Sequence, residues 1–407
     1  MSKFSLKDVA KNLVLNFASY ALPTVVLQFV VQPIIARRLG VDLNGQYLTL
    51  MSLNYFLIGV TAAVLNTVRM LQEEEYQKKG IRGDFNFFFF IYALILAVIM
   101  PIGYILYTGT INILEIAFYL LIGLLYLYHD YIFAQYRLRM QFNKILINNG
   151  ILVVGYFLGI ICFIYVFPYW QIIYIIAYLM GGIYDFVNTD FIREPIHITP
   201  LFKTTLSKIG SLTVANSLNS SITYFDKLLL YPILGGASVS IYNTASLVGK
   251  ILILVSAPLN SLLLSYLVKM DCFNLKTVKR HLWKIVLVLI TGYAFCVVIG
   301  YPLTSFLYPQ WAEQSHIYIP ITVAANLFIL VGNLVNTILI RFYKTSFQMI
   351  VQAFNVTLYL VISLSFLRFW GLLGFSVGVA TVAAIKMVVL IFIIIKMDNK
   401  NKKVLEA

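Results

Sequence analysis

Four basic side chains lie inside long apolar stretches of the sequence: Arg69, Lys227, Lys250 and Lys386. A charge at the centre of a bilayer costs about 2.5–3.5 kcal/mol on insertion scales, so such a side chain usually faces a polar cavity or an opposite charge. Lys250 and Lys386 stand near the middle of their stretches, too deep for a lysine stem to reach water. We expect both to line a cavity. The alternatives are an ion pair between helices or a neutral buried lysine.

Other charged residues stand nearer the ends of their stretches. Arg37 and Arg38 follow the first stretch, where binding of an anion and contact with lipid headgroups are both open. Arg69 is within snorkelling reach of water or lipid phosphates. In the adjacent pair Asp226 and Lys227, neighbouring helix positions diverge by about 100°, so one side chain is expected to face the cavity. A local ion pair is the alternative.

Acidic residues inside the stretches are few, and they are the candidates for coupling to a proton or sodium gradient: Asp130, Asp185 and Asp226. The sequence does not choose among them. It contains no Walker-type glycine loop, no hydrolase nucleophile elbow and no metal-ligand cluster, and its cysteines are far apart. We therefore expect a protein that is not an enzyme and that has no cofactor and no ATP motor of its own.

The apolar stretches that hold these residues dominate the chain. It is 61% hydrophobic and 11% charged, with a mean hydropathy of +0.88, far outside the range of soluble domains. A bilayer core of about 30 Å needs roughly 20 apolar residues per helix. The sequence therefore predicts an all-α integral membrane protein with about twelve transmembrane helices. The predicted spans are 12–35, 45–69, 85–108, 112–135, 146–167, 170–189, 209–232, 238–267, 282–307, 317–340, 346–367 and 372–396.

The distribution of lysine and arginine predicts the orientation. If the N-terminus is cytoplasmic, 23 of the 30 cationic residues lie in the inner connections and tails, and the outer connections hold only Arg37, Arg38 and Arg368. The positive-inside rule therefore places both termini in the cytoplasm. The net charge of +14 is explained by this topology signal, so binding to nucleic acid need not be invoked.

An internal similarity suggests two lobes. Residues 39–49 align without gaps on residues 234–244, and leucine, glycine, tyrosine and threonine match at an offset of 195. Each copy joins the first and second spans of its half. We therefore expect two six-helix lobes, 1–200 and 201–407, around a central cavity. Such an architecture suits alternating access.

Two motifs carry a family resemblance. The first is Ala-Arg-Arg-Leu-Gly at 36–40 followed by Gly-Gln-Tyr at 45–47, and the second is Tyr-Phe-Asp-Lys-Leu-Leu-Leu at 224–230 followed by Leu-Gly at 234–235. With these motifs the whole chain resembles the polysaccharide (O-antigen and capsule repeat-unit) flippases of the multidrug/oligosaccharidyl-lipid/polysaccharide (MOP) superfamily. Lipid II flippases of that superfamily usually have fourteen spans, so twelve spans fit the polysaccharide branch better.

The resemblance implies a substrate and a membrane. The substrate would be an undecaprenyl-diphosphate-linked oligosaccharide, turned from the cytoplasmic to the outer face of the bacterial cytoplasmic membrane through a cationic cavity. Membrane lipids, glycosyltransferases and a polysaccharide polymerase would be its partners. Arginine and lysine hold diphosphates well. The candidates to do so here are Arg37, Arg38, Arg69, Lys227, Lys250 and Lys386.

Two other functions stay open. An ion-coupled drug or cation antiporter of the same superfamily would share the twelve spans, but its cavity should be lined by carboxylates. A membrane polysaccharide polymerase or ligase would need a sizeable outer loop with catalytic arginine or histidine, whereas the longest outer break, around residues 308–314, is short. The deep positive charges favour the flippase.

Overall fold

The computed structural model describes residues 18–267, 275–342 and 346–405 of the chain. The start of the first predicted span, at residue 12, lies outside the described residues. Within these ranges the fold is almost entirely helical and contains no strand. The helices are α1 (Gln32–Val60), α2 (Ala62–Lys79), α3 (Asp84–Thr108), α4 (Ile113–Leu138), α5 (Phe142–Tyr165), α6 (Gln171–Asn188), α7 (Phe202–Ala245), α8 (Leu247–Leu267), α9 (Leu275–Leu307), α10 (Ala312–His316), α11 (Ile319–Phe342) and α12 (Ser346–Leu405).

Eight helical stretches of the described chain are long and apolar enough to cross a membrane. Two of them are too long for one crossing: Ala18–Lys79 has 62 residues and Ile350–Lys396 has 47. At about 1.5 Å per residue they would measure about 90 and 70 Å, two to three times the bilayer core. The prediction of an all-α membrane protein is confirmed.

The longest helices are broken where the sequence predicts a turn between spans. Gly40 interrupts α1 and Gly235 interrupts α7, each with backbone angles outside the helical region. Trp370 and Gly371 break α12 in the same way. With these breaks, each of the twelve predicted spans falls mainly on helix in the described chain. Two of them are interrupted by one residue, the span 45–69 at Thr61 and the span 238–267 at Ser246.

The two copies of the internal repeat share an unusual backbone conformation. Gly40 has φ 77° and ψ 178°, and Gly235, 195 residues later, has φ 80° and ψ 178°. This region of φ/ψ space is essentially restricted to glycine. The sequence similarity at this offset therefore corresponds to a structural equivalence.

The turns that follow these glycines pack directly against each other. Asn44 Nδ2 donates to Ser240 Oγ over 2.9 Å, and Ser240 Oγ donates to the carbonyl of Val41 over 2.6 Å. Asp42 Oδ1 accepts from the backbone N–H of Ala237 at 3.1 Å. Glycine permits this approach, since a Cβ added at Gly236 would lie 2.1 Å from the carbonyl oxygen of Asp42.

The chain forms two compact units. The first contains Met1–Leu39 and Gln46–Pro232, and the second contains Gly40–Gly45 and Ile233–Ala407. The facing turns thus belong to the second unit. The units divide the chain near Pro232, and the division into six-helix lobes at residue 200 stays a prediction.

Candidate functional site

Lys386 lies in the second arm of α12, the part that follows Gly371, and its side chain is half-buried. It lines a groove of about 220 Å³ whose other walls are mostly apolar. It makes no hydrogen bond or ion pair with any residue that the structure describes. Of the two alternatives to cavity lining, an ion pair between helices is therefore not seen in the described part of the chain.

Lys250 lies in the first turn of α8 and is also half-buried. Its Nζ donates to Asn243 Oδ1 over 2.7 Å, and Asn243 is buried near the end of α7. A short break at Ser246 separates the two helices, and the backbone N–H of Lys250 donates to the Ser246 carbonyl. The side-chain nitrogen of Lys250 is therefore oriented by a neutral amide.

Asp226 and Lys227 are paired with each other in α7, within the first unit. Lys227 Nζ lies 3.1 and 3.2 Å from the two carboxylate oxygens of Asp226, and both residues are buried. Although adjacent helix positions diverge, the long lysine stem folds back on its neighbour. The pair is locally neutral, so neither charge is available by itself in this arrangement.

Arg69, in α2, is held by a carboxylate that the sequence did not single out. Its NH2 group donates to both carboxylate oxygens of Glu194 at 2.6 Å, and NH1 donates to the hydroxyl of Tyr131 at 2.7 Å. The guanidinium carbon lies 3.2 Å from the ring centre of Phe191. The side chains of Arg69 and Glu194 are 3% and 8% exposed, so this is a compensated charge pair, and the exposed Arg82 lies 3.8 Å from the same carboxylate.

Glu194 belongs to the connector between α6 and α7, which polar side chains fix along its length. Asn86 Nδ2 donates to the carbonyls of Phe191 and Glu194 at 2.8 and 2.9 Å. Asp84, fully buried at the start of α3, accepts from the backbone N–H of Thr199 at 2.8 Å and from the Tyr76 hydroxyl at 2.6 Å. The Thr199 hydroxyl donates to Asp84 as well. The connector is therefore an ordered part of the first unit.

Arg37 and Arg38 are exposed at the end of the arm that precedes Gly40. Arg38 donates to the carbonyl of Ile164 over 2.6 Å and lies 5.8 Å from the ring centre of Phe163. Ile164 is in the last turn of α5, where unpaired carbonyls favour a cation. The exposure of both guanidinium groups is compatible with either of the roles predicted for them.

Asp185 is fully buried in α6. Its Oδ1 accepts from the Tyr136 hydroxyl at 2.9 Å and from the amide of Asn148, and Oδ2 lies 3.5 Å from His129 Nδ1. Asp185 is thus engaged in a polar network between helices of the first unit. A buried network of this kind fixes helix packing.

Asp130 is half-buried in α4, and its environment differs from that of Asp185. Its backbone carbonyl accepts from Asn66, whereas its carboxylate has no hydrogen-bond or ion-pair partner among the described residues. Asp130 thus differs from the other two coupling candidates, Asp185 and Asp226. Its carboxylate makes no hydrogen bond and no ion pair with a described side chain.

Acidic residues are scarce in the second unit, where Asp42 lies in the turn after Gly40 and Asp398 lies near the end of α12. Between Ile233 and Lys396 the sequence has only two acidic residues, Asp271 and Glu313. Asp271 lies outside the described residues, between α8 and α9, and Glu313 is in the short helix α10. Lys250 is therefore a basic residue of a helix without an acid, and the acid in α12, Asp398, is twelve positions beyond Lys386.

No protein-family model and no curated protein matches the chain. Solved structures match over nearly its whole length. The lipid II flippase MurJ in an inward closed conformation aligns with a TM-score of 0.71 and 13% identity, covering 94% of this chain and 87% of that chain. An inward-facing multidrug resistance transporter of the MATE family, in the MOP superfamily, aligns with a TM-score of 0.70 and 10% identity, covering 95% and 99%.

The Vibrio cholerae MATE transporter VcmN in its bent form aligns with a TM-score of 0.55 and 14% identity, covering 95% of this chain and 96% of that chain. At such low identity the similarity establishes the fold alone. The chain has the fold of the MATE and MurJ transporters of the MOP superfamily.

Proposed function

We propose that the protein is a flippase that carries undecaprenyl-diphosphate-linked oligosaccharide repeat units from the cytoplasmic to the outer face of a bacterial cytoplasmic membrane. It would work by alternating access, with both termini in the cytoplasm, in the synthesis of capsule, O-antigen or exopolysaccharide. Glycosyltransferases would supply its substrate and a polymerase would consume its product. The match to MurJ supports a lipid-linked substrate, because MurJ is a lipid II flippase.

The sign of the charges in the second unit carries this proposal. Between Ile233 and Lys396 its apolar spans hold Lys250 and Lys386 and no carboxylate. A cationic drug would find no counter-charge there, whereas a diphosphate would find two ammonium groups. At a few ångströms in a low-dielectric environment, an ammonium group attracts a phosphate and repels a cationic drug, and the two interaction energies differ by several kcal/mol.

The test is complementation of a deletion strain. Loss of the gene should abolish surface polysaccharide and leave lipid-linked repeat units on the cytoplasmic face. The double substitution Lys250→Met with Lys386→Met should fail to restore export at normal protein levels, whereas Lys250→Arg with Lys386→Arg should restore part of it. Lys396→Met removes an exposed lysine from the end of the same helix and serves as the control. Normal export by the double methionine variant would refute the proposal.

An ion-coupled drug or cation antiporter is the second candidate, favoured by the match to the MATE transporter at a TM-score of 0.70. That function predicts drug sensitivity in the deletion strain even when the polysaccharide pathway is absent. It also predicts that substitution of Asp130 or Asp226 is more harmful than substitution of either lysine.

A further inference from the structure

The groove beside Lys386 has a distinct composition. It lies in the second unit, has a volume of about 220 Å³ and is lined by eight residues from the two arms of α12. The six apolar ones are Ile350, Val351, Phe354, Leu358, Val389 and Ile393. The groove opens at the surface of the unit, where the side chain of Phe354 is 50% exposed.

The remaining two lining residues, Asn355 and Lys386, are polar. Asn355 is only 4% exposed, yet neither its amide nor the Lys386 ammonium has a partner among the described residues. An amide and an ammonium group both donate hydrogen bonds, and a negatively charged acceptor strengthens such bonds. Both groups are therefore suited to a ligand that supplies hydrogen-bond acceptors and negative charge.

The polar residues stand near one end of the groove, where only the apolar Leu358 lies nearer the break at Gly371. The two arms of α12 run antiparallel from the break at Gly371, since a Cβ at Gly378 would lie 2.9 Å from Ser363 Cα. Asn355 and Lys386 are about equally far from that break. From Lys386 to Ile393 the second arm advances seven residues, about 10 Å, along the groove. The groove thus has a cationic end and an apolar extension.

We propose that this groove binds the polyprenyl segment next to the diphosphate of the lipid-linked substrate, with a phosphate oxygen on Lys386 Nζ and a second on Asn355 Nδ2. The inference rests on the proposed function. Sugar hydroxyls against the apolar walls would lose their hydrogen bonds, so the groove suits hydrocarbon better than carbohydrate. The second unit would therefore recognise the lipid and its phosphates, whatever oligosaccharide is attached.

The test uses the purified full-length protein in nanodiscs of phosphatidylcholine, with labelled undecaprenyl phosphate as the probe. Wild-type protein should bind it, and undecaprenol and inorganic pyrophosphate should each compete at least about tenfold less well, because each lacks half of the ligand. Lys386→Gln should weaken binding about tenfold, and Lys386→Arg should retain it. Val389→Phe, which fills the groove, and Phe354→Ala, which removes one wall, should also weaken it.

Thr357→Ala, an exposed position on the same arm outside the groove, is the control and should bind as wild type. Folded Val389→Phe and Phe354→Ala variants with wild-type affinity would overturn the assignment. Equal competition by phosphatidylglycerol would also overturn it, because the groove would then accept any membrane anion. Lipid binding and polysaccharide export are measured in separate assays. If the purified protein binds the lipid but the deletion strain exports polysaccharide normally, only the proposed function is refuted.

Discussion

The contact between the two repeat turns gives a sharp prediction for Gly236→Ala. The added Cβ would lie 2.1 Å from the carbonyl oxygen of Asp42 and 2.9 Å from its carbonyl carbon. Both are backbone atoms, so no side-chain rotation relieves the overlap. The turns must separate by about 1 Å before the contact reaches the closest distance that real Cβ atoms show.

That separation would break the hydrogen bonds across the contact. Three of them join the turns: Asn44 to Ser240, Ser240 to Val41, and Ala237 to Asp42. At about 1 kcal/mol each they amount to about 3 kcal/mol, and the helix propensity of alanine returns at most about 1 kcal/mol. We therefore expect a net destabilisation of about 2–3 kcal/mol in this arrangement of the turns.

Two measurements check this expectation. The thermal unfolding midpoint of Gly236→Ala should fall below that of the control Gly292→Ala, because a Cβ at Gly292 meets nothing within 4 Å. In addition, a Val239→Cys reporter, at a position with 0% exposure beside the contact, should react faster with an aqueous maleimide when Gly236→Ala is present. If both variants melt alike and the reporter is equally protected in both, the close packing of the turns is refuted.

Three further predictions concern the charged residues of the first unit. Arg69→Met leaves the Glu194 carboxylate with only the exposed Arg82, 3.8 Å away, and should lower the free energy of unfolding by about 3 kcal/mol, measured by denaturation in detergent. Lys227→Met should impair folding yield for the same reason, and adding Asp226→Asn should restore part of that yield, which a double-mutant cycle measures. Asp130→Asn should abolish the dependence of export on a proton or sodium gradient, measured in reconstituted vesicles. It should not lower the melting temperature, since the carboxylate makes no hydrogen bond or ion pair with a described residue. Unchanged coupling in the vesicles would exclude Asp130 as the coupling residue.

The helices could be predicted because their signal is local. A bilayer demands a long apolar run, and each such run in the sequence falls mainly on helix in the described chain. The turn glycines were also predictable in part, since Gly40 and Gly235 stand at equivalent places in the repeat. Sequence alone could not show that their turns contact each other, because that contact spans nearly 200 residues.

The partners of the charged residues were the hardest to predict. Glu194 is 125 positions from Arg69 and was not singled out, since an acid in an inner connection is usually solvated. Asp84 was not predicted for the same reason, although its carboxylate is buried and accepts hydrogen bonds from Thr199 and Tyr76. Such pairs depend on tertiary packing and leave no periodic pattern. The depth of Lys386, by contrast, could be read from its position within an apolar run.

The ordered connector between α6 and α7 has a consequence for how the polypeptide can be divided. Glu194 is anchored before Pro195 by Arg69 and Asn86, and Thr199 is anchored after it by Asp84. Non-covalent contacts thus hold the chain both before and after Pro195. The two segments should therefore keep their places even when the chain is cut at Pro195. Two fragments that meet there, co-expressed as separate genes, should reassemble into one protein.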